Sequence, residues 1–174
     1  GTLPSGRTAA KIASTRQPRK PRMDPIPLRR LVTTDDAHGR PIVAFAGAAL
    51  QTVTLNGSTI RRLWETSGVP TTLPLQRDAG ATAGNAYRPG FAGTSLYVAD
   101  IFPGTVGAIP LHRQDSLDYI AILSGEIHLL LDGKEEVLRA GDVLVQGGNL
   151  HTWENRSDLP CRMLVVVLSA HRAG

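Results

Sequence analysis

Gly107-Ala108-Ile109-Pro110-Leu111-His112-Arg113-Gln114-Asp115-Ser116-Leu117-Asp118-Tyr119 is answered further along by Gly141-Asp142-Val143-Leu144-Val145-Gln146-Gly147-Gly148-Asn149-Leu150-His151-Thr152-Trp153-Glu154-Asn155. Both segments are short apolar or alternating runs punctuated by glycine, the pattern of strands joined by tight turns. Alternate residues of a strand share a face, so His112 and Gln114 point together, as do His151 and Trp153. A sheet rolled into a small barrel brings such inward side chains close to one another. Two imidazoles and the Asp118 carboxylate then make a facial set suited to Zn²⁺, Fe²⁺ or Mn²⁺, with positions left for water or substrate. Gln114 would add a neutral carbonyl oxygen.

Outward from these segments the pattern is β almost throughout from Arg30 onward. Strands are expected at Pro41–Phe45, Gln51–Leu55, Thr59–Glu65, Ser95–Phe102, Ala108–His112, Leu117–Leu123, Glu126–Leu131, Glu135–Leu138, Val143–Gln146, His151–Glu154 and Arg162–Leu168. Many short strands with Gly, Pro, Asn and Asp between them indicate an all-β sandwich or barrel. Asp132-Gly133, between Ile127-His128-Leu129-Leu130-Leu131 and Glu135-Glu136-Val137-Leu138, supplies the positive φ angles of a tight hairpin. Between Val69 and Gly93 periodicity gives way to Gly, Ala, Thr and Pro, a long loop that reads either as a lid over the barrel mouth or as a surface excursion. No repeat and no helix-turn-helix pattern is present, which argues against a DNA-binding regulator.

The two quoted segments resemble the motifs of the cupin superfamily. His112 takes the first histidine position of the first motif, Gln114 the second, Asp118 the glutamate position and Gly125 the closing glycine. In the second motif Gly141, Gly148, His151 and Asn155 match, with the proline absent and the loop one residue shorter. The resemblance implies a double-stranded β-helix, a jelly-roll barrel, occupying about residues 30–170. The N-terminal strands and the long loop fall in residues 24–103 and the two motifs in 104–170. Family members typically offer three histidines and a glutamate; here Gln114 and Asp118 stand at two of those positions. Asp118, one methylene shorter than glutamate, reads as a ligand, as a base, or as a hydrogen-bond partner of a ligand histidine.

The same alternation turns Ile120 and Ile122 inward with Asp118, and Trp153 inward with His151, an apolar pocket with a few polar groups. Gln146 would reach its rim. Arg61 and Arg62 must face opposite sides, and Arg61 is the guanidinium expected to neutralise an anionic substrate. The function expected from this set is a metal-dependent lyase or isomerase, dehydrating or decarboxylating a metabolite with a carbonyl or carboxylate, with His112 and Asp118 moving protons. Two alternatives stay open: an Fe²⁺ dioxygenase using the same ligands, and a barrel that binds a small molecule without turning it over. Cupins resembling this chain commonly pair through sheet edges, so a homodimer through Pro41–Phe45 and Gln51–Leu55 is expected.

Composition bounds the rest. The net charge of +4 belongs to residues 1–23, which hold Arg7, Lys11, Arg16, Arg19, Lys20 and Arg22 and no acid; the remainder, with 13 basic and 15 acidic groups, is net −2. That Ser-, Pro- and Arg-rich stretch reads as an irregular extension upstream of the domain, with a targeting or nucleic-acid arm as the other reading. A nucleic-acid or membrane partner is not expected of the domain itself. No stretch approaches the roughly 18 apolar residues of a membrane span, so a cytoplasmic location is the expectation. The lone Cys161 sits in an apolar run, where a buried structural thiol is expected and an intrachain disulfide is impossible.

Overall fold

Strands this short, apolar on alternate positions, bury one face each and must find a second sheet to bury it against. The computed structural model describes residues 26–55, 57–81, 91–107 and 110–173. The basic segment 1–23, most of the Gly- and Ala-rich part of the long loop, and the start of the strand expected at Ala108–His112 lie outside the described residues. Within them run β1 (Arg30–Asp35), β2 (Pro41–Gly47), β3 (Gln51–Leu55), β4 (Ser58–Thr66), β5 (Thr94–Ile101), β6 (Thr105–Val106), β7 (Ser116–Ser124), β8 (Glu126–Leu131), β9 (Lys134–Arg139), β10 (Val143–Gln146), β11 (His151–Asn155) and β12 (Cys161–Ser169). One 3-10 turn, Ala79–Ala81, is present, and no described helix is long and apolar enough to cross a membrane.

Three antiparallel sheets result: a six-stranded one in the order β10-β7-β12-β5-β4-β3, a four-stranded one in the order β6-β11-β8-β9, and the hairpin β1-β2. The two larger sheets face each other. Their inward residues, among them Ile120, Ile122, Met163, Val165, Ile127 and Trp153, form one buried cluster. At about 25 cal/mol per Å² of apolar surface removed from water, this alternation is the main force holding the sheets together. The jelly-roll expectation is met, as a sandwich whose sheets keep free edges at β10 and β3 rather than as a closed barrel.

The hairpin at Asp132-Gly133 forms as expected, with Leu131 opposite Lys134 and Gly133 at φ 71°. Gly148 matters in another way: at φ 61°, a Cβ there would lie 2.4 Å from the Gln114 carbonyl oxygen. Glycine at this position therefore lets the loop before β11 press against the segment that carries His112 and Gln114.

Other expectations change. Of the strand anticipated at Ala108–His112, the described residues 110–112 contain the isolated bridge between His112 and His151, whereas β1 and β6 form where no strand was assigned. The described part of the long loop is fastened down: Asp78 holds Arg30 in an ion pair, and the Leu75 amide donates to Thr34 Oγ1. Cys161 is fully buried, and burial pushes its thiol up to about 12, which makes it inert at neutral pH.

Candidate functional site

The bridge between His112 and His151 brings the two sequence segments together. Each residue donates its amide to the other's carbonyl, at 3.1 and 3.0 Å, which places both side chains on one face with ring centroids 4.4 Å apart. Each ring is oriented by a carbonyl two residues upstream: His112 Nδ1 to Pro110 O at 2.8 Å and His151 Nδ1 to Asn149 O at 2.9 Å. A carbonyl oxygen can only accept, so each Nδ1 carries a proton, and in the neutral ring the lone pair is on Nε2. Burial lowers the pKa of His151, outweighing the Asn149 carbonyl, and the neighbouring His112 adds to the effect. His151 is therefore a neutral imidazole at pH 7. Trp153 meets its ring edge-on at 6.0 Å.

Both rings line a cavity of about 40 Å³ between the sheets, together with Gln114, Asp118, Ile120 and Trp153. That volume accommodates one or two waters. Asp118 on β7 is buried, and its Oδ1 has no hydrogen-bond partner. Desolvation pushes its carboxyl up to about 6, and a hydrogen bond from Ser116 opposes this only in part. Gln114 is half-buried, with Oε1 accepting from Ser116 Oγ at 3.4 Å.

Sequence reasoning thus locates His112, Gln114, Asp118, Ile120, His151 and Trp153 around one cavity. Ile122 is buried in the core without lining it, and Gln146, opposite Asp118 on β10, donates to Asn149 Oδ1 while its own Oε1 is buried without a partner. Arg61 is elsewhere: it pairs with Val98 on the sheet's other face and is bound to Asp100 and the Ile26 carbonyl. Arg62 takes the inward register, opposite Tyr97, and forms an ion pair with Glu65 at 3.6 Å.

Several contributors were not anticipated. Ser58, Tyr97 and Met163 complete the cavity from β4, β5 and β12, and the alternation within those strands was the available signal. Arg172 joins the two segments, donating to the Gln114 carbonyl at 2.7 Å and the Gly148 carbonyl at 2.6 Å. A larger cleft of about 300 Å³ lies between β4 and residues 67–79, but no motif residue reaches it, so the chemistry is assigned to the smaller cavity.

The anticipated metal centre does not assemble as a three-ligand set. Among the described residues no three of His, Cys, Asp and Glu stand together as a group that could hold a metal ion. The two Nε2 atoms are ready donors, but Asp118 is not grouped with them.

A family profile described as the cupin domain matches residues 97–167. Over 92 residues the chain is 42% identical to phomopsin biosynthesis cluster protein D of Diaporthe leptostromiformis, covering 52% of this chain and 47% of that protein. Over 80 residues it is 39% identical to the cupin-domain-containing oxidoreductase virC of Hypocrea virens, covering 44% and 40%. The chain therefore spans less than half the length of these relatives. Among solved structures, the cupin domain of Schizosaccharomyces pombe Cnp3 superposes with a TM-score of 0.50 at 13% identity, covering 83% of this chain and 89% of that one. That likeness bears on the fold.

Proposed function

The chain belongs to the cupin superfamily through its domain at residues 97–167, and from that premise we propose that it is a small-molecule enzyme of lyase or isomerase type. The substrate class is a metabolite carrying a carbonyl or carboxylate, and the reaction turns on a proton moved by Asp118. The observation that carries this reading is the buried Asp118 carboxyl, with one oxygen unpartnered in a cavity shared with two imidazoles of fixed tautomer. A carboxyl held near pH 6 is populated in both protonation states close to neutrality, the condition under which a general acid or base works best. The Nε2 lone pairs of His112 and His151 accept a substrate hydroxyl or a proton beside it. Ile120 and Trp153 exclude water. The segment bearing His112 and Gln114 is held beside the cavity by the His112–His151 bridge and by Arg172, which ties the Gln114 carbonyl to the Gly148 carbonyl.

The test is solvent-proton exchange. Small oxo acids incubated with the protein in D₂O should incorporate deuterium next to the carbonyl, and Asp118→Asn should slow that exchange by about 100-fold or more. Equal rates in the two proteins would remove Asp118 from the mechanism.

Several relatives, among them that of Hypocrea virens, are cupin-domain-containing oxidoreductases, which favours a second reading, oxidation of the same class of molecule. It requires a redox-active metal or cofactor, toward which His112 and His151 offer two donors. Under this reading transition metal co-purifies with the protein and is lost from both His112→Ala and His151→Ala, as elemental analysis would register. Metal content unchanged in either variant would count against it.

A further inference from the structure

The pairing between the two backbones that carry the histidines stops after one step. His112 and His151 exchange both amide bonds, at 3.1 and 3.0 Å. Continued antiparallel pairing would set Gln114 opposite Asn149, but among the described residues the bridge stands isolated. At that next position Arg172, from the segment after β12, lies between the backbones. Its Nη2 donates to the Gln114 carbonyl at 2.7 Å and to the Gly148 carbonyl at 2.6 Å, and its Nε donates to Asp115 Oδ1 at 2.5 Å. The segment reaches this point because β12 pairs with β7 as far as Ser169 opposite Ser116, after which the Ala170 amide donates to the Asp115 carbonyl at 3.1 Å.

We propose that Arg172 is a positioning residue for the two imidazoles, a guanidinium that replaces the missing rung and so fixes how the His112 and His151 rings stand to one another. Gly148 lets the backbones converge so closely that a Cβ there would lie 2.4 Å from the Gln114 carbonyl oxygen. The Gln114 and Gly148 oxygens accept from one nitrogen and so face each other across it. Without a cationic donor between them two such carbonyls repel; with one they are drawn together. Arg172 supplies that donor from outside the cavity, of which it is not a lining residue. The lever arms are short: Gln114 is two residues from His112, and Gly148 adjoins Asn149, whose carbonyl orients the His151 ring. The ion pair with Asp115 adds little, because that side chain is 67% exposed. Lysine would keep the charge but not the flat fork that meets three acceptors at once.

The bridge amides report this effect with no substrate present. In Arg172→Ala, hydrogen exchange at the His112 and His151 amides should quicken about 10-fold or more, the worth of one charge-assisted hydrogen bond, while amides of β5 and β12 keep wild-type protection. Arg172→Lys should fall between, and Asp115→Asn should match wild type. The catalytic arm rests on the proton-transfer reading above: Arg172→Ala should lower kcat for deuterium exchange into an oxo acid about 10-fold or more, with KM little changed. Unchanged bridge amides in Arg172→Ala overturn the proposal, as does protection lost equally across the sandwich, a loss as large in Asp115→Asn, or a wild-type kcat in the alanine variant. If the wild-type protein exchanges no oxo acid, the proton-transfer reading fails and the bridge amides still decide the role of Arg172. Should the alanine variant not fold, Arg172→Lys is measured in its place: a smaller loss at the same two amides is expected, and wild-type exchange there overturns the proposal.

Discussion

Asp100→Ala should cost about 3–5 kcal/mol of folding stability, the penalty for leaving buried charge without its partner. Asp100 is completely buried on β5 and receives two arginines. Arg61 Nη2 donates to its Oδ2, and Arg162 donates from Nε to Oδ1 at 2.6 Å and from Nη2 to Oδ2 at 3.0 Å. The same guanidiniums donate onward to the Ile26 carbonyl at 2.6 and 2.8 Å, fastening the segment before β1 to the sheet. Removing the carboxylate therefore strands two cations and loosens that segment. Asp100→Asn, which keeps an acceptor oxygen but no charge, should fall between wild type and alanine. Chemical denaturation monitored by tryptophan fluorescence reads this directly, and a loss under about 1 kcal/mol for the alanine variant would mean the cluster is solvated rather than buried.

The same cluster shows why the face of Arg61 was not legible in the sequence. Alternation says that Arg61 and Arg62 oppose each other, but which one is inward depends on Asp100, 39 positions away, and long-range ion pairs leave no periodic trace. The meeting of His112 with His151 was legible because it depends on two local spacings, each anchored by glycine, and the contact of Gly148 with the Gln114 carbonyl is the physical reason the second spacing works. The metal set is less legible than the pairing of the histidines, for a different reason. Motif position says where a side chain leaves the backbone, whereas coordination depends on its reach; Asp118 lines the same cavity as the two imidazoles, with Oδ1 unpartnered, and among the described residues no three of His, Cys, Asp and Glu group as a metal set. Arg172 escaped because nothing near it in sequence marks it as the clamp between the two segments.

The buried Asp118 should also make the fold pH-sensitive in a direction opposite to most carboxylates. Its folded-state pKa, about 6, lies above the unfolded value of 3.8. The native state therefore binds the proton more tightly than the unfolded chain does. This contribution is fully present below pH 4 and is lost as pH rises through 6, because an ionised carboxylate must then remain in the cavity. The difference is on the order of 3 kcal/mol between pH 4 and pH 7.5. His151 acts in the other sense: burial lowers its pKa, so its contribution is present above its unfolded pKa and fades as pH falls through the folded one. Comparing wild type with Asp118→Asn at each pH separates the two, since both proteins contain His151. The amide cannot ionise, so the variant should match wild type near pH 4 and exceed it by roughly 2–3 kcal/mol at pH 7.5. A stability difference that stays constant from pH 4 to 7.5 would show that Asp118 ionises freely in the fold, and with it would go the buried acid on which the proton-transfer reading depends.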